Sequence, residues 1–138
     1  MLAQTRPVYT VDIRPLAVDL PGLACLSGTI TDLPYDDETV PMAMSLSVIE
    51  HIGLGRYGDS IDPFGSIRAC MELERVLMPG AHLLISVPIG DEAVTLFNQH
   101  RVFKRESLLA WLPKCQLESE FTIKGGLNVW CAELVKHG

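Results

Sequence analysis

Short apolar runs alternate with Pro, Gly and Asp punctuation along the chain, with no internal repeat, low-complexity tract or linker. Val8 to Ile13 (VYTVDI) is rich in β-branched and aromatic residues and stops at Arg14-Pro15, which predicts a short strand. Leu23 to Leu26 is a second apolar run, closed by Ser27-Gly28, and a polar loop from Thr31 to Glu38 follows, interrupted by Pro34. Met42 to Leu46 is too short for a helix and is consistent with a buried parallel strand.

Between Pro63 and Met78 the period changes. Ala69, Cys70, Leu73, Val76 and Leu77 fall on one helical stripe, while Arg68, Glu72 and Arg75 share the other face at pairing distance. Asp62-Pro63 supplies a start for this helix and Pro79-Gly80 a stop. His82 to Val87 then reads as a strand ended by Pro88, and Glu106 to Leu112 as a short helix before Pro113. Near the C-terminus Leu117, Phe121 and Ile123 alternate with Glu118, Glu120, Thr122 and Lys124. Gly125-Gly126 separates that run from Leu127 to Val135, the signature of an antiparallel hairpin with a primed turn. Strands alternating with a helix, then a hairpin, predict an α/β layered fold with a mixed sheet.

With 138 residues the chain fits one domain, 1–138. It is 48% hydrophobic and 20% charged, which supports a packed core and argues against disorder. Seventeen acidic against eleven basic residues give a net charge of -6. With no Lys/Arg cluster in the sequence, nucleic acid is not expected as a partner. Cys25, Cys70, Cys115 and Cys131 lie far apart without C-x-x-C spacing, so they read as small buried hydrophobes in a reducing compartment. No run approaches about 18 apolar residues and the N-terminus lacks a signal-peptide core. A cytoplasmic protein without a membrane partner is the expectation.

Four segments together carry a family resemblance: Val8-Tyr-Thr-Val-Asp-Ile13; Leu26-Ser-Gly-Thr-Ile-Thr-Asp-Leu-Pro-Tyr35; Met44-Ser-Leu-Ser-Val-Ile-Glu-His-Ile52; and Leu73-Glu-Arg-Val-Leu-Met-Pro-Gly80. In this order they resemble class I S-adenosylmethionine-dependent methyltransferases. Gly53-Leu-Gly-Arg-Tyr-Gly-Asp59 and Phe97-Asn-Gln-His-Arg101 look like one little-characterised branch of that superfamily. The resemblance implies a Rossmann-like domain with a mostly parallel sheet, an antiparallel C-terminal hairpin and S-adenosylmethionine as cofactor. A small-molecule or glycan-like acceptor is the implied substrate. Asp12 matches the acidic end of the family's second strand, which accepts hydrogen bonds from ribose hydroxyls; a carboxylate there offers two acceptor oxygens to a diol. The competing reading is that Asp12 caps the turn before Pro15. Gly28-Thr29-Ile30 matches the adenine-side loop.

The chain also departs from the family pattern. Thr29 stands where an adenine-facing Asp is expected, and Pro41 where an acidic residue begins the fourth strand. The family's glycine-rich loop after its first strand has no counterpart, so the fold reads as lacking its N-terminal part. Gly53-Leu-Gly-Arg-Tyr-Gly58 fits G-x-G-x-x-G only superficially, because it follows the fourth-strand region; it reads as a substrate-side loop carrying Arg56 and Asp59, with Arg101 nearby in function. These departures predict weak or absent S-adenosylmethionine binding by this chain alone. They leave open a non-catalytic methyltransferase-like module acting as an oligomer.

His51, beyond the fourth strand, and His100 are the candidates for a general base acting on an acceptor hydroxyl, since imidazole titrates near neutral pH. In the alternative reading His51 and Glu50 pack a helix start, Asp62 caps the long helix and Arg101 pairs with an acid. His51, Asp59, Asp62 and His100 would suit zinc or iron by type, but their spacing is no ligand signature. No metal is assigned, and a metal-dependent hydrolase is the lesser alternative. The family's strand order, 3-2-1-4-5-7-6, would leave a gap about 10 Å wide where the first strand belongs. The expectation is that Val8–Ile13 pairs directly with Met42–Leu46, with homodimerisation as a secondary consequence.

Overall fold

The computed structural model describes residues 6–96 and 98–138. Strands β1 (Val8–Asp12) and β2 (Leu23–Ser27) pair in parallel as a two-stranded sheet, Val8 opposite Leu23 and Asp12 opposite Ser27. A separate four-stranded sheet contains β3 (Val40–Leu46), β4 (Leu77–Pro88), β7 (Cys115–Ile123) and β8 (Val129–Lys136), in the order β3-β4-β8-β7. A small antiparallel ribbon joins β5 (Val94–Leu96) to β6 (His100–Val102). Helices α1 (Gly65–Val76) and α2 (Arg105–Ala110) and a 3-10 turn at Ile49–His51 complete the described structure.

The main sheet is mixed, which corrects the mostly parallel expectation. Only β3 and β4 run parallel, joined through α1; β8 enters antiparallel to β4, and β7 antiparallel to β8, as the terminal hairpin. The cause is the connection type: a helix crossover delivers a parallel neighbour, whereas a tight turn can deliver only an antiparallel one. Pro79-Gly80, expected to end the helix, lies instead inside β4. The helix has already ended at Val76, and the ladder slips from Val40–Leu77 to Met42–His82 where Pro79 cannot donate.

Alternate residues of the central strands make the core: Leu83, Ile85 and Val87 of β4 interleave with Trp130, Ala132 and Leu134 of β8, all buried. Ala69, Cys70 and Leu73 of α1 and Leu108 of α2 close over this sheet. Lys136 is also buried, its Nζ donating to the carbonyls of Glu74 (2.8 Å) and Leu77 (2.7 Å) at the C-terminal end of α1. A cation there satisfies carbonyls that the helix cannot. All four cysteines are free. Only Cys70 is fully buried, while Cys25, Cys115 and Cys131 are half-buried, which corrects the expectation of four buried thiols. Burial pushes the Cys70 and Cys115 thiols up to about 12.

Strands β1 and β3 are not paired, so the expected direct closure does not form and each keeps a free edge. The β1–β2 pair is held elsewhere. Glu72 of α1 accepts the Leu33 N–H (2.8 Å), and Arg75 donates to the Tyr35 carbonyl (3.0 Å) and to Asp37 (2.6 Å). These contacts fasten the loop after β2 to the helix, which keeps the small sheet from sliding onto β3.

Candidate functional site

The carboxyl ends of β1 and β3 open into one cavity of about 330 Å³. On one wall stand Asp12, the last residue of β1, and Arg14 just after it, with Gly28, Thr29 and Ile30 after β2; on the other stand Ser47, His51, Tyr57 and Asp59 after β3. Both strands therefore point toward the same space, the arrangement in which doubly wound folds place their ligands.

The β3 side is tightly built. Ser47 turns the chain with a left-handed φ of 54° and donates its N–H to the Ser86 carbonyl (3.0 Å). Ser66 of α1 then donates to the Ile49 carbonyl (2.7 Å), pinning the 3-10 turn that carries His51. The loop from Gly53 is closed on itself: Gly53 donates to Asp59 Oδ2 (2.7 Å) and accepts from the Asp62 N–H (2.9 Å). Gly53 has φ 79°, and a Cβ there would stand 2.1 Å from the Asp62 carbonyl oxygen, so no other residue fits without movement. Asp62 makes a local turn into α1, accepting the Phe64 N–H (2.9 Å), and also meets Arg68 (3.3 Å).

His51 Nδ1 lies 2.8 Å from the Gln99 carbonyl oxygen. A carbonyl only accepts, so Nδ1 carries the proton and the neutral ring keeps its lone pair on Nε2. That Nε2 is 3.9 Å from Oε1 of the buried Glu50, whose acid is pushed up by burial, with His51 and its own backbone N–H opposing the shift. The rings of Tyr57 and His100 stand edge-on to His51 at 5.7 and 6.3 Å. His100 Nε2, Asp59 Oδ1 and Glu50 Oε2 are buried without a hydrogen-bond partner among the described residues.

The sequence candidates thus divide. Asp12, Thr29, Ile30, His51 and Asp59 line the cavity, and His100 and Arg56 lie beside it against His51 and Tyr57. Arg101 does not line it. Its guanidinium is buried and donates to the Ile52 carbonyl, to Ser66 Oγ (2.9 Å) and to the Asp62 carbonyl (3.0 Å), so it braces the loop from beneath. Burial lowers its pKa, opposed by Asp62 and Asp59. Among the described residues no group of three His, Cys, Asp or Glu could hold a metal ion, so the conceivable quartet of His51, Asp59, Asp62 and His100 does not assemble. Asp59 and Asp62 are turned to backbone N–H groups instead. Sequence reasoning missed Arg14 and Tyr57, because their position depends on two loops meeting. It also missed Gln99, whose contribution is a carbonyl that carries no residue-type signal.

Solved structures place the fold. The chain is similar to Burkholderia thailandensis 1,6-didemethyltoxoflavin-N1-methyltransferase, a structure with bound 1,6-didemethyltoxoflavin and S-adenosylhomocysteine: TM-score 0.72, 16% identity, 99% of this chain and 64% of that one. It is also similar to the N-methyltransferase NodS from Bradyrhizobium japonicum WM9 in complex with S-adenosylhomocysteine: TM-score 0.70, 14% identity, 93% of this chain and 65% of that one. A third is a SAM-dependent methyltransferase from Methanosarcina mazei: TM-score 0.62, 13% identity, 83% of this chain and 68% of that one. The chain spans about two thirds of the length of these proteins. The fold is that of class I S-adenosylmethionine-dependent methyltransferases. No curated protein matches the chain significantly. Among the described residues no helix is long and apolar enough to cross a membrane. A family model matches residues 33–112, more than half of the chain and the segment that carries His51, the closed loop and α1; the chain belongs to the family described as "Caenorhabditis protein of unknown function, DUF268".

Proposed function

We propose that the chain is a methyltransferase-type domain whose cavity holds the adenosine part of S-adenosylmethionine and presents a small acceptor to His51. One observation carries this reading: Asp12 and His51 face one cavity from opposite walls. The adenosine half fits the residues present. Asp12 spends Oδ1 on the Arg14 N–H (2.8 Å), which leaves its other oxygen for a ribose hydroxyl, and Gly28 to Ile30 offer a narrow flank for the base. When bound, the cofactor supplies an electrophilic methyl group. His51, with Nδ1 held by Gln99, is oriented to take a proton at Nε2 from an acceptor hydroxyl.

Calorimetric titration with S-adenosylhomocysteine tests this. Saturable binding is expected, weaker than micromolar because no glycine-rich loop lines the cavity. Asp12→Asn should weaken it about tenfold, the loss of one charged hydrogen bond. Absence of saturable heat would reject the reading and favour a second one, a methyltransferase-like module that has lost its cofactor and acts as an oligomer. The free edges of β1 and β3 and the Thr29 substitution support that second reading.

A further inference from the structure

We propose that Arg14 and Arg56, both set against the Tyr57 ring that lines the cavity, form a subsite for the carboxylate or phosphate group of a small molecule; that molecule's role as acceptor rests on the methyl-transfer reading above. The guanidinium carbons lie 5.1 Å (Arg14) and 5.5 Å (Arg56) from the centroid of the same ring. They reach it from different walls, Arg14 after β1 and Arg56 from the loop after β3.

The telling feature is that both share one ring and neither meets an acid; Arg6, before β1, also meets no acid among the described residues, but no aromatic ring either. Arg68 meets Asp62, Arg75 meets Asp37 and Glu72, Arg105 meets Glu120, and Arg101 is spent on carbonyls and a hydroxyl. Among the described residues no carboxylate lies within 4.0 Å of Arg14 or Arg56; Arg56 reaches only the Gln99 carbonyl, at 3.5 Å. Acids are not scarce, since seventeen face eleven bases in the chain. Asp12 and Asp59 line the same cavity, but Asp12 accepts the Arg14 N–H and Asp59 the Gly53 N–H. Two guanidiniums at one ring leave a local excess of positive charge. An oxyanion beside that ring offsets the charge, and its oxygens match the planar N–H fork of a guanidinium.

Tyr57 also sets the scale of the ligand. Its ring stands 5.7 Å from His51, so a molecule that reaches both the arginines and His51 passes along this one ring. The fitting class is a small oxyanion bearing a hydroxyl across an aromatic or sugar ring.

The probes are para-hydroxybenzoate, phenol and inorganic phosphate, titrated separately into the whole chain and followed by amide NMR at residues 53–59. Saturable shifts are expected with para-hydroxybenzoate and phosphate but not with phenol. Arg14→Gln and Arg56→Gln should each weaken binding about tenfold at unchanged melting temperature. Equal responses to phenol and para-hydroxybenzoate, no saturation with either anion, or anion binding undiminished in the double variant would each overturn the subsite. S-adenosylhomocysteine titrated into the same samples separates the two readings. Lost nucleoside binding with intact anion binding strikes only methyl transfer; the converse strikes only the subsite.

Discussion

The four-stranded sheet and the β1–β2 pair are both built from β-branched and aliphatic residues, yet they end in different physical states. Among the described residues every fully buried apolar side chain lies at Ile49 or later, and no residue of β1 or β2 is fully buried. β4 has a partner strand on each side and a helix over its face, whereas β1 has one partner and a free edge. The cavity lies between these unequal walls. The rigid wall holds His51, pinned through α1 and Gln99, and the lightly held wall holds Asp12, Thr29 and Arg14.

The largest expected effect sets the core against the β1–β2 pair. Trp130→Ala, in the packed sheet, should cost about 3–5 kcal/mol, whereas Val11→Ala in β1 should cost less than about 1 kcal/mol. Urea denaturation measures both; equal costs would mean that the β1–β2 pair is as integral to the fold as the core.

An intermediate effect is expected at the brace beneath the loop after β3. Arg101→Leu removes donors from two carbonyls and Ser66, and should cost about 2–3 kcal/mol. It should also broaden the amide signals of residues 53–62 while leaving β8 sharp. A variant with a sharp, unshifted loop would show that Gly53, Asp59 and Asp62 close it unaided.

The smallest effect concerns the strap between α1 and the loop after β2. Arg75 beside Glu72 holds its carboxyl below the ordinary value of 4.5, against the opposing effects of burial and Asp37. A lowered acid contributes its stability in full above 4.5 and loses it as pH falls through the folded-state value. Glu72→Gln should cost about 1 kcal/mol at neutral pH and flatten the loss of stability below pH 4.5. Parallel curves for the two proteins across that acid range would remove Glu72 from the strap.

Local pattern alone determined much of this protein. The stripe Ala69, Cys70, Leu73 and Val76 specifies α1, because helical period needs only neighbours within two turns. The alternation around Gly125-Gly126 specifies the β7–β8 hairpin for the same reason. The placement of Asp12 and His51 beyond strand ends was legible too, since a strand's end is a local event. Tertiary structure decided what depends on residues far apart. It kept β1 from β3, because Glu72 and Arg75 tie the intervening loop to a helix more than thirty residues away. It turned Arg101 from a surface candidate into a buried brace, and sent Lys136 to the carbonyls at the end of α1. It also set two arginines at one ring where the sequence shows no basic cluster, because Arg14 and Arg56 reach Tyr57 only when two loops far apart in sequence come together. Charge along a chain says little about charge in space, because the contact that gathers it is made by the fold.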